Sequence, residues 1–149
     1  MKRLSCIAPL LILLFNGGST AANAQEPALV DVLTMPRPIE ALDNVWIEEL
    51  TMLEVRDALE EGKTTALILT WGIEENGPYL TTGKHNHVLK VTGDVIARTL
   101  GNTLIAPIMM LDGSDPNTPT VPGRLAISPA TLEAVMKDMA TSLKSQGFK

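Results

Sequence analysis

The chain contains few of the residues on which several classes of protein depend. It has 149 residues, and its one cysteine, Cys6, lies close to the N-terminus. The part of the chain beyond Cys6 therefore has no disulfide, no thiolate metal site and no cysteine nucleophile. Aromatic residues make up 3% of the chain, which is too few for a surface that stacks nucleic-acid bases. The sequence also has no internal repeat and no low-complexity tract.

The N-terminus has the pattern of an export signal. A basic start, Met1–Arg3, precedes an apolar run from Ile7 to Phe15, and Ala22-Asn23-Ala24 fits the small-residue cleavage pattern. The apolar run is too short to remain as a membrane anchor. We therefore predict a signal peptide over residues 1–24 and a mature chain that begins at Gln25. The mature protein is expected to be periplasmic or secreted, with no membrane association after signal removal.

The predicted mature chain is acidic and has no basic block. Removal of Lys2 and Arg3 leaves ten basic residues against 17 acidic ones, so the formal charge changes from −5 to −7. Such a chain has no electrostatic attraction for nucleic acid or for an anionic membrane surface. Neither is expected as a partner.

The first half of the mature chain predicts a helix and a buried strand. Residues 25–45 hold three prolines and no sustained period, which indicates an extended lead-in. Thr51 and Glu54 have the spacing of a capping box at the start of a helix, and Gly62 ends it. Within residues 64–70 the apolar side chains follow one another from Ala66 to Leu69 rather than alternate, which is typical of a strand that is buried on both faces.

The second half repeats this alternation of helix and strand. After a polar loop, Val88, Val91, Val95 and Ile96 recur at helical spacing, and Gly101 ends that helix. A second buried strand is predicted over 103–110, followed by a long turn-rich loop over 111–124. A final helix then begins with Ser128 as its N-cap and a proline in its first turn.

The order of these elements predicts an α/β fold. Helices that alternate with strands form three α/β/α layers around a mostly parallel sheet. Two strands cover the apolar surface of three helices poorly. We therefore expect the sequence to be truncated after the third helix, where Phe148-Lys149 would begin the next strand.

The loop over residues 71–87 concentrates the candidate functional groups. It follows the first predicted strand and carries Glu74, Glu75, Asn76, His85 and His87. Open α/β sheets bind ligands at the carboxyl ends of their strands. Carboxylate and imidazole groups suit a divalent cation such as zinc or manganese. If the loop is extended, Glu74 and Asn76 point to one side, and His85 and His87 also share a face.

A loop without a metal explains the same residues. Its carboxylates would lie in solvent and interact with the positive end of the next helix. Pairs such as Glu-x-Asn and His-x-His also occur often by chance. Spacing alone therefore favours the solvated loop over the metal site.

The run from Glu74 to Leu80, followed by His85, resembles the loop of the creatininase (creatinine amidohydrolase) family. The resemblance continues through Trp46–Thr51, Pro122-Gly123 and the closing Gln146–Phe148. It covers nearly all of the predicted mature chain. It implies that residues 46–149 are the N-terminal part of a creatininase-like α/β domain.

The resemblance also implies altered metal-ligand positions. Glu74 falls on the family's first metal-binding Glu, Asn76 on its metal-binding His, and His85 on its metal-binding Asp. An imidazole cannot bridge two metals as a carboxylate does, so one zinc or manganese ion per subunit is expected rather than two. Glu74 and His85 would hold this ion, with Asn76 as a weak oxygen ligand or a hydrogen-bond partner. The family's remaining ligands, a His and a Glu, would lie beyond Lys149.

The family's reaction is the hydrolysis of a cyclic or linear amide C–N bond in a small molecule by metal-activated water. By this resemblance Glu75 would orient water, His87 would be an outer partner or a second ligand, and Tyr79 would replace a pocket His. The family also implies a homo-oligomer. The alternative is a non-catalytic creatininase-fold protein for binding or assembly, because two of the three ligand positions are replaced.

Overall fold

The computed structural model describes residues 33–118 and 121–149, so the predicted signal peptide and the first part of the lead-in lie outside the described residues. The described chain begins with an irregular segment and a 3₁₀ turn over Ile47–Glu49. The elements that follow are α1 (Met52–Glu60), β1 (Thr65–Leu67), α2 (Lys84–Leu100), β2 (Thr103–Ile105), β3 (Asp112–Gly113), β4 (Ala126–Ile127) and α3 (Pro129–Ser145). Across these ranges, no helix has the length and apolar content needed to cross a membrane.

The three predicted helices are confirmed, together with the predicted N-caps of α1 and α3 and the glycine that ends α2. Thr51 and Glu54 form a complete capping box at the start of α1. Gly101 ends α2 with a left-handed φ of 77°, a conformation that glycine adopts at little cost. The hydroxyl of Ser128 accepts a hydrogen bond from the backbone N–H of Thr131 at the start of α3.

The strands pair in parallel, as predicted. β1 runs beside β2, with Thr65 opposite Thr103 and Leu67 opposite Ile105. Beyond them a further parallel bridge joins Thr70 to Met109. The predicted loop over 111–124 begins with a strand that was not predicted, because Asp112 and Gly113 form β3, which pairs with β4 just beyond the loop. This pairing brings the two ends of the long loop together.

Helices cover both faces of the β1–β2 pair, which confirms the three layers. Leu104 and Ala106 belong to a core cluster that α1 and α3 complete through Ala58 and Leu143. Ile105, which points to the opposite face, belongs to a second cluster completed by Val45, Trp46 and, on α2, Ala97. The alternation of neighbouring strand residues between the two faces follows from the pleat of the strand.

α2 differs from its prediction in its start and in its buried face. It begins at Lys84, before the two histidines, rather than after them. Its apolar stripe faces outward, with Val88, Val91 and Val95 exposed by 50%, 67% and 60%. The face turned to the sheet carries Gly93, where an added Cβ would lie 2.5 Å from Leu69 Cδ1. Glycine lets the helix approach the sheet closely, despite its helix-propensity cost of about 1 kcal/mol.

Candidate functional site

The candidate site lies at the carboxyl ends of β1 and β2. The chain that leaves β1 forms the Glu74 loop (residues 71–83), and the chain that leaves β2 forms the Arg124 loop (residues 112–118 and 121–125, which include β3). Trp71 N–H donates to Met109 C=O over 3.1 Å. This bond joins the start of the Glu74 loop to the chain that leaves β2. A cavity of about 330 Å³ lies between them and is lined by Trp71, Glu74 and Asp112, among other residues. This is the edge at which open α/β sheets bind ligands.

The structure brings Glu74 and His85 together, as the predicted metal site requires. Glu74 Oε1 lies 3.1 Å from His85 Nδ1. The same oxygen accepts a hydrogen bond of 3.0 Å from the indole N–H of Trp71. The rings of Trp71 and His85 also pack together, with their centroids 4.6 Å apart. The tryptophan therefore fixes the orientation of both side chains.

The nitrogen of His85 that faces Glu74 is a candidate cation ligand. His85 Nδ1 is buried, and its contact with Glu74 Oε1 lacks the geometry of a hydrogen bond, so it has no hydrogen-bond partner among the described residues. Buried polar atoms are nearly always hydrogen-bonded, and a bound ion is one explanation for an atom that is not. Two ligand atoms on one zinc ion are roughly 3.0–3.4 Å apart at ordinary bond lengths and angles. The 3.1 Å between Glu74 Oε1 and His85 Nδ1 matches this separation.

The described part of the chain supplies only half of a coordination shell. Within residues 33–118 and 121–149, no group of three or more His, Cys, Asp or Glu side chains is able to hold a metal ion. A closed protein site for zinc uses four ligands, and a catalytic one uses three and leaves a position open. Glu74 and His85 are thus two candidate ligands, and a metal site built on them would need at least one more.

The side chain of Asn76 forms hydrogen bonds within the Glu74 loop. Its side-chain amide donates to the carbonyl oxygens of Glu74, Thr81 and Thr82, over 3.1, 3.2 and 3.5 Å. Glu74 N–H in turn donates to Thr82 C=O over 3.1 Å. These bonds close the Glu74 loop and orient the backbone of Glu74. Asn76 acts on the site through this loop, and its predicted role as a metal ligand remains a prediction.

His87 does not share a face with His85, so that part of the prediction is wrong. It assumed an extended chain, whereas α2 begins at Lys84 and turns residues two apart by about 200°. His87 is exposed, as are Glu75 and Tyr79 in the Glu74 loop. The catalytic roles of Glu75 and His87 remain predictions.

An ion pair between Asp112 and Arg124 was not predicted from the sequence. Arg124 Nε donates to Asp112 Oδ2 over 2.8 Å, and Ser114 Oγ donates to the same oxygen over 2.8 Å. The hydrogen bond from Arg124, supported by that from Ser114, lowers the pKa of Asp112. The pKa of Arg124 is raised chiefly by Asp112, with smaller contributions from Glu75 and Glu74. The position of Asp112 just after a strand was the available signal, but nothing in the sequence pairs it with Arg124.

Comparisons with known proteins identify relatives of the chain. The sequence model of the creatininase family, described as creatinine amidohydrolase, matches residues 48–149. No curated protein sequence matches at a significant level.

Solved structures of creatininases share the fold. A crystal structure of creatinine amidohydrolase (creatininase) superposes with a TM-score of 0.64 at 18% identity, over 71% of this chain and 42% of that one. The structure described as creatininase Mn gives 0.61 at 19% identity, over 70% and 42%. A mutant creatininase of Zn-Zn type gives 0.62 at 19% identity, over 71% and 42%. The chain thus spans less than half the length of these proteins.

Proposed function

Since the chain belongs to the creatininase family, we propose that it hydrolyses an amide C–N bond of a small molecule, with a divalent cation held by Glu74 and His85. The observation that carries this proposal is the pair of Glu74 Oε1 and His85 Nδ1, which lie 3.1 Å apart with the nitrogen buried and without a hydrogen bond among the described residues. Related solved structures are described as Mn and Zn-Zn forms of creatininase. These two metals are therefore the first to test.

Each of the residues at the site would have a separate role in the reaction. A zinc or manganese ion there would polarise the amide carbonyl and lower the pKa of water. Glu74 and His85 would hold the ion, and Trp71 would keep the Glu74 carboxylate oriented through its indole N–H. Glu75, next to Glu74, is proposed to orient the attacking water. The remaining ligands would come from outside the described residues, as in the family, or from water.

The cavity between the two loops suggests where the substrate binds. Its volume of about 330 Å³ lies at the lower end of the range for small-molecule sites. Trp71 is 47% exposed and offers a flat apolar wall beside Glu74. We therefore propose a small cyclic or linear amide as the substrate.

The proposal includes one cation per subunit, an exported protein and a homo-oligomer. An imidazole at position 85 binds one ion and does not bridge two, which supports the single cation. The basic start, apolar run and Ala22-Asn23-Ala24 of the N-terminus support export. The homo-oligomer rests on membership of the family.

A second candidate is a non-catalytic binding or assembly protein with the creatininase fold. The use of the Asn76 amide within its own loop favours it, because the described residues then offer two protein ligands and no third. Such a protein would bind a small molecule or a partner at the same edge of the sheet without hydrolysing an amide.

An activity assay separates the two candidates. The purified protein, loaded with Zn²⁺ or Mn²⁺, is incubated with creatinine and with a set of small cyclic and linear amides. The hydrolase proposal predicts turnover that EDTA abolishes and that Glu74→Gln lowers by at least about 100-fold, since even outer-shell changes cost 10–100-fold. Glu48→Gln is the matched control, because Glu48 pairs with Lys90 away from the site. Metal binding at Glu74 without turnover on any amide would favour the non-catalytic protein.

A further inference from the structure

The Glu74 loop and the Arg124 loop touch at three places. Leu125 N–H donates to Ile73 C=O over 3.0 Å. Gly72 packs so closely that an added Cβ would lie 2.8 Å from Asp112 Cβ. Gly123 likewise lies against Thr82, where an added Cβ would be 2.9 Å from Thr82 Cγ2. The two loops therefore pack as one unit, with glycine at both of the closest approaches.

The contacts with Ile73 and Thr82 lie on the backbone that positions Glu74. Ile73 precedes Glu74, and its C=O accepts the bond from Leu125. Thr82 C=O accepts the N–H of Glu74 over 3.1 Å. The Arg124 loop thus contacts both the chain that leads into Glu74 and the residue that accepts its N–H. A shift of the Arg124 loop would therefore displace Glu74 through both of these contacts.

The Asp112–Arg124 ion pair closes the Arg124 loop at its base. Arg124 bonds to Asp112 through Nε and Nη2, and also reaches Ser114 Oγ over 3.2 Å. Asp112 N–H donates to Leu125 C=O over 3.1 Å. The two charged side chains are 26% and 22% exposed, so the pair is partly shielded from solvent. A charge-assisted pair of this kind holds a fixed geometry better than a fully exposed pair does.

We propose that Asp112 and Arg124 are positioning residues that hold Glu74 beside His85. The ion pair fixes the Arg124 loop, the loop holds Ile73 and Thr82, and these set the position of the Glu74 carboxylate. This inference rests on the proposed function for its consequence, since Glu74 acts there as a metal ligand. The positioning itself does not require a metal to be bound.

The indole N–H of Trp71 reports on this positioning in the metal-free protein. It donates to Glu74 Oε1, so its resonance in a ¹H–¹⁵N correlation spectrum depends on the location of that carboxylate. The chain has two tryptophans, and the other, Trp46, is buried near Lys90 and α2. A Trp71→Phe variant assigns the two signals. Trp46 then serves as an internal control within each spectrum.

The test compares Arg124→Met with Arg98→Met in the full chain. Arg98 forms ion pairs with Asp43 and Asp94 away from the site. Arg98→Met therefore controls for the general effect of losing an arginine ion pair. We expect Arg124→Met to move the Trp71 resonance toward its position in Glu74→Ala, which has no acceptor for the indole N–H. We also expect it to weaken Zn²⁺ binding, measured by titration calorimetry, by about 10-fold, the lower end of the range for residues bonded directly to a metal ligand, because Arg124 acts on Glu74 through the loop. Arg98→Met should change neither reading.

The reversed pair, Asp112→Arg with Arg124→Asp, should recover part of both signals if the ion pair is the cause. Should Arg124→Met fail to fold, Arg124→Lys decides by the same two readings, because lysine keeps the charge but not both hydrogen bonds. A folded Arg124 variant with an unmoved Trp71 resonance would overturn the positioning role, whether or not Zn²⁺ binds. Absence of Zn²⁺ binding in the unmodified protein would instead count against the proposed function alone.

Discussion

The Glu74 loop and the Arg124 loop leave neighbouring strands at the same edge of the sheet. They differ in whether the buried polar atoms near them are hydrogen-bonded. The Glu74 loop leads into α2, where His85 Nδ1 and Asn86 Oδ1 are buried without hydrogen-bond partners among the described residues. In the Arg124 loop, Asp112 is bonded to both Arg124 and Ser114. Unpaired buried atoms indicate a place for a ligand, whereas paired ones stabilise the protein itself. The proposed chemistry therefore lies where the Glu74 loop meets α2, and the Arg124 loop is proposed to support it.

We expect a substitution that forces the two loops apart to lower the free energy of unfolding more than a substitution within either loop alone. In Gly72→Ala the new Cβ would lie 2.8 Å from Asp112 Cβ and 3.1 Å from Asp112 Cα, and neither atom can rotate away. We expect a loss of about 1–3 kcal/mol in the free energy of unfolding, as for other overpacked sites. Urea denaturation followed by circular dichroism measures it.

The control for Gly72→Ala is Gly83→Ala, where no atom lies within 4 Å of the added Cβ. Gly83 is the N-cap of α2 and has a φ of −90°, which alanine adopts without strain. Its cost should stay below about 1 kcal/mol, the typical value for a lost N-cap. Equal losses at the two glycines would show that the close contact between the loops has no effect on stability.

Removing the internal hydrogen bonds of the Glu74 loop should have a smaller effect. Asn76→Ala loses the amide that joins the carbonyls of Glu74, Thr81 and Thr82. Net hydrogen-bond contributions of about 0.5–1.5 kcal/mol predict a loss of that order, and the same denaturation assay measures it.

Asn117→Ala is the matched change in the Arg124 loop. Asn117 makes an exposed contact of 3.1 Å with Asp115, and exposed polar changes are usually worth less than about 0.5 kcal/mol. A larger effect at Asn117 than at Asn76 would contradict the view that the amide of Asn76 holds its loop closed.

The sequence predicted elements whose signals are local. The capping box of Thr51 and Glu54 and the N-cap Ser128 both act within three residues, and both helices begin where predicted. The proximity of Glu74 and His85 was also predicted, because the resemblance placed both in one site. In each case the evidence lay within a short stretch of chain.

The start of α2 was mispredicted because its signals are weak. Its N-cap, Gly83, makes no side-chain capping bond, and the first turn holds two histidines and an asparagine, which are modest helix formers. The valine stripe showed the helical period correctly. The period alone cannot tell which face meets the sheet, and here Gly93 and Ala97 do.

The Asp112–Arg124 pair lay beyond the reach of the sequence for a different reason. The two residues are twelve positions apart in a segment without periodicity, and the β3–β4 pairing that joins them is two residues long. A strand pairing of two residues is too short to leave a recognisable pattern in the sequence. Only the folded chain brings the two charges together.

Anomalous X-ray scattering from a crystal of the protein soaked in Mn²⁺ or Zn²⁺ tests directly whether Glu74 and His85 hold a cation. We expect one peak per chain, within about 2.3 Å of both Glu74 Oε1 and His85 Nδ1, and its loss in Glu74→Ala and in His85→Ala. A peak that lies elsewhere, or that survives both substitutions, would contradict this expectation, as would two peaks or the absence of any peak at this pair of residues.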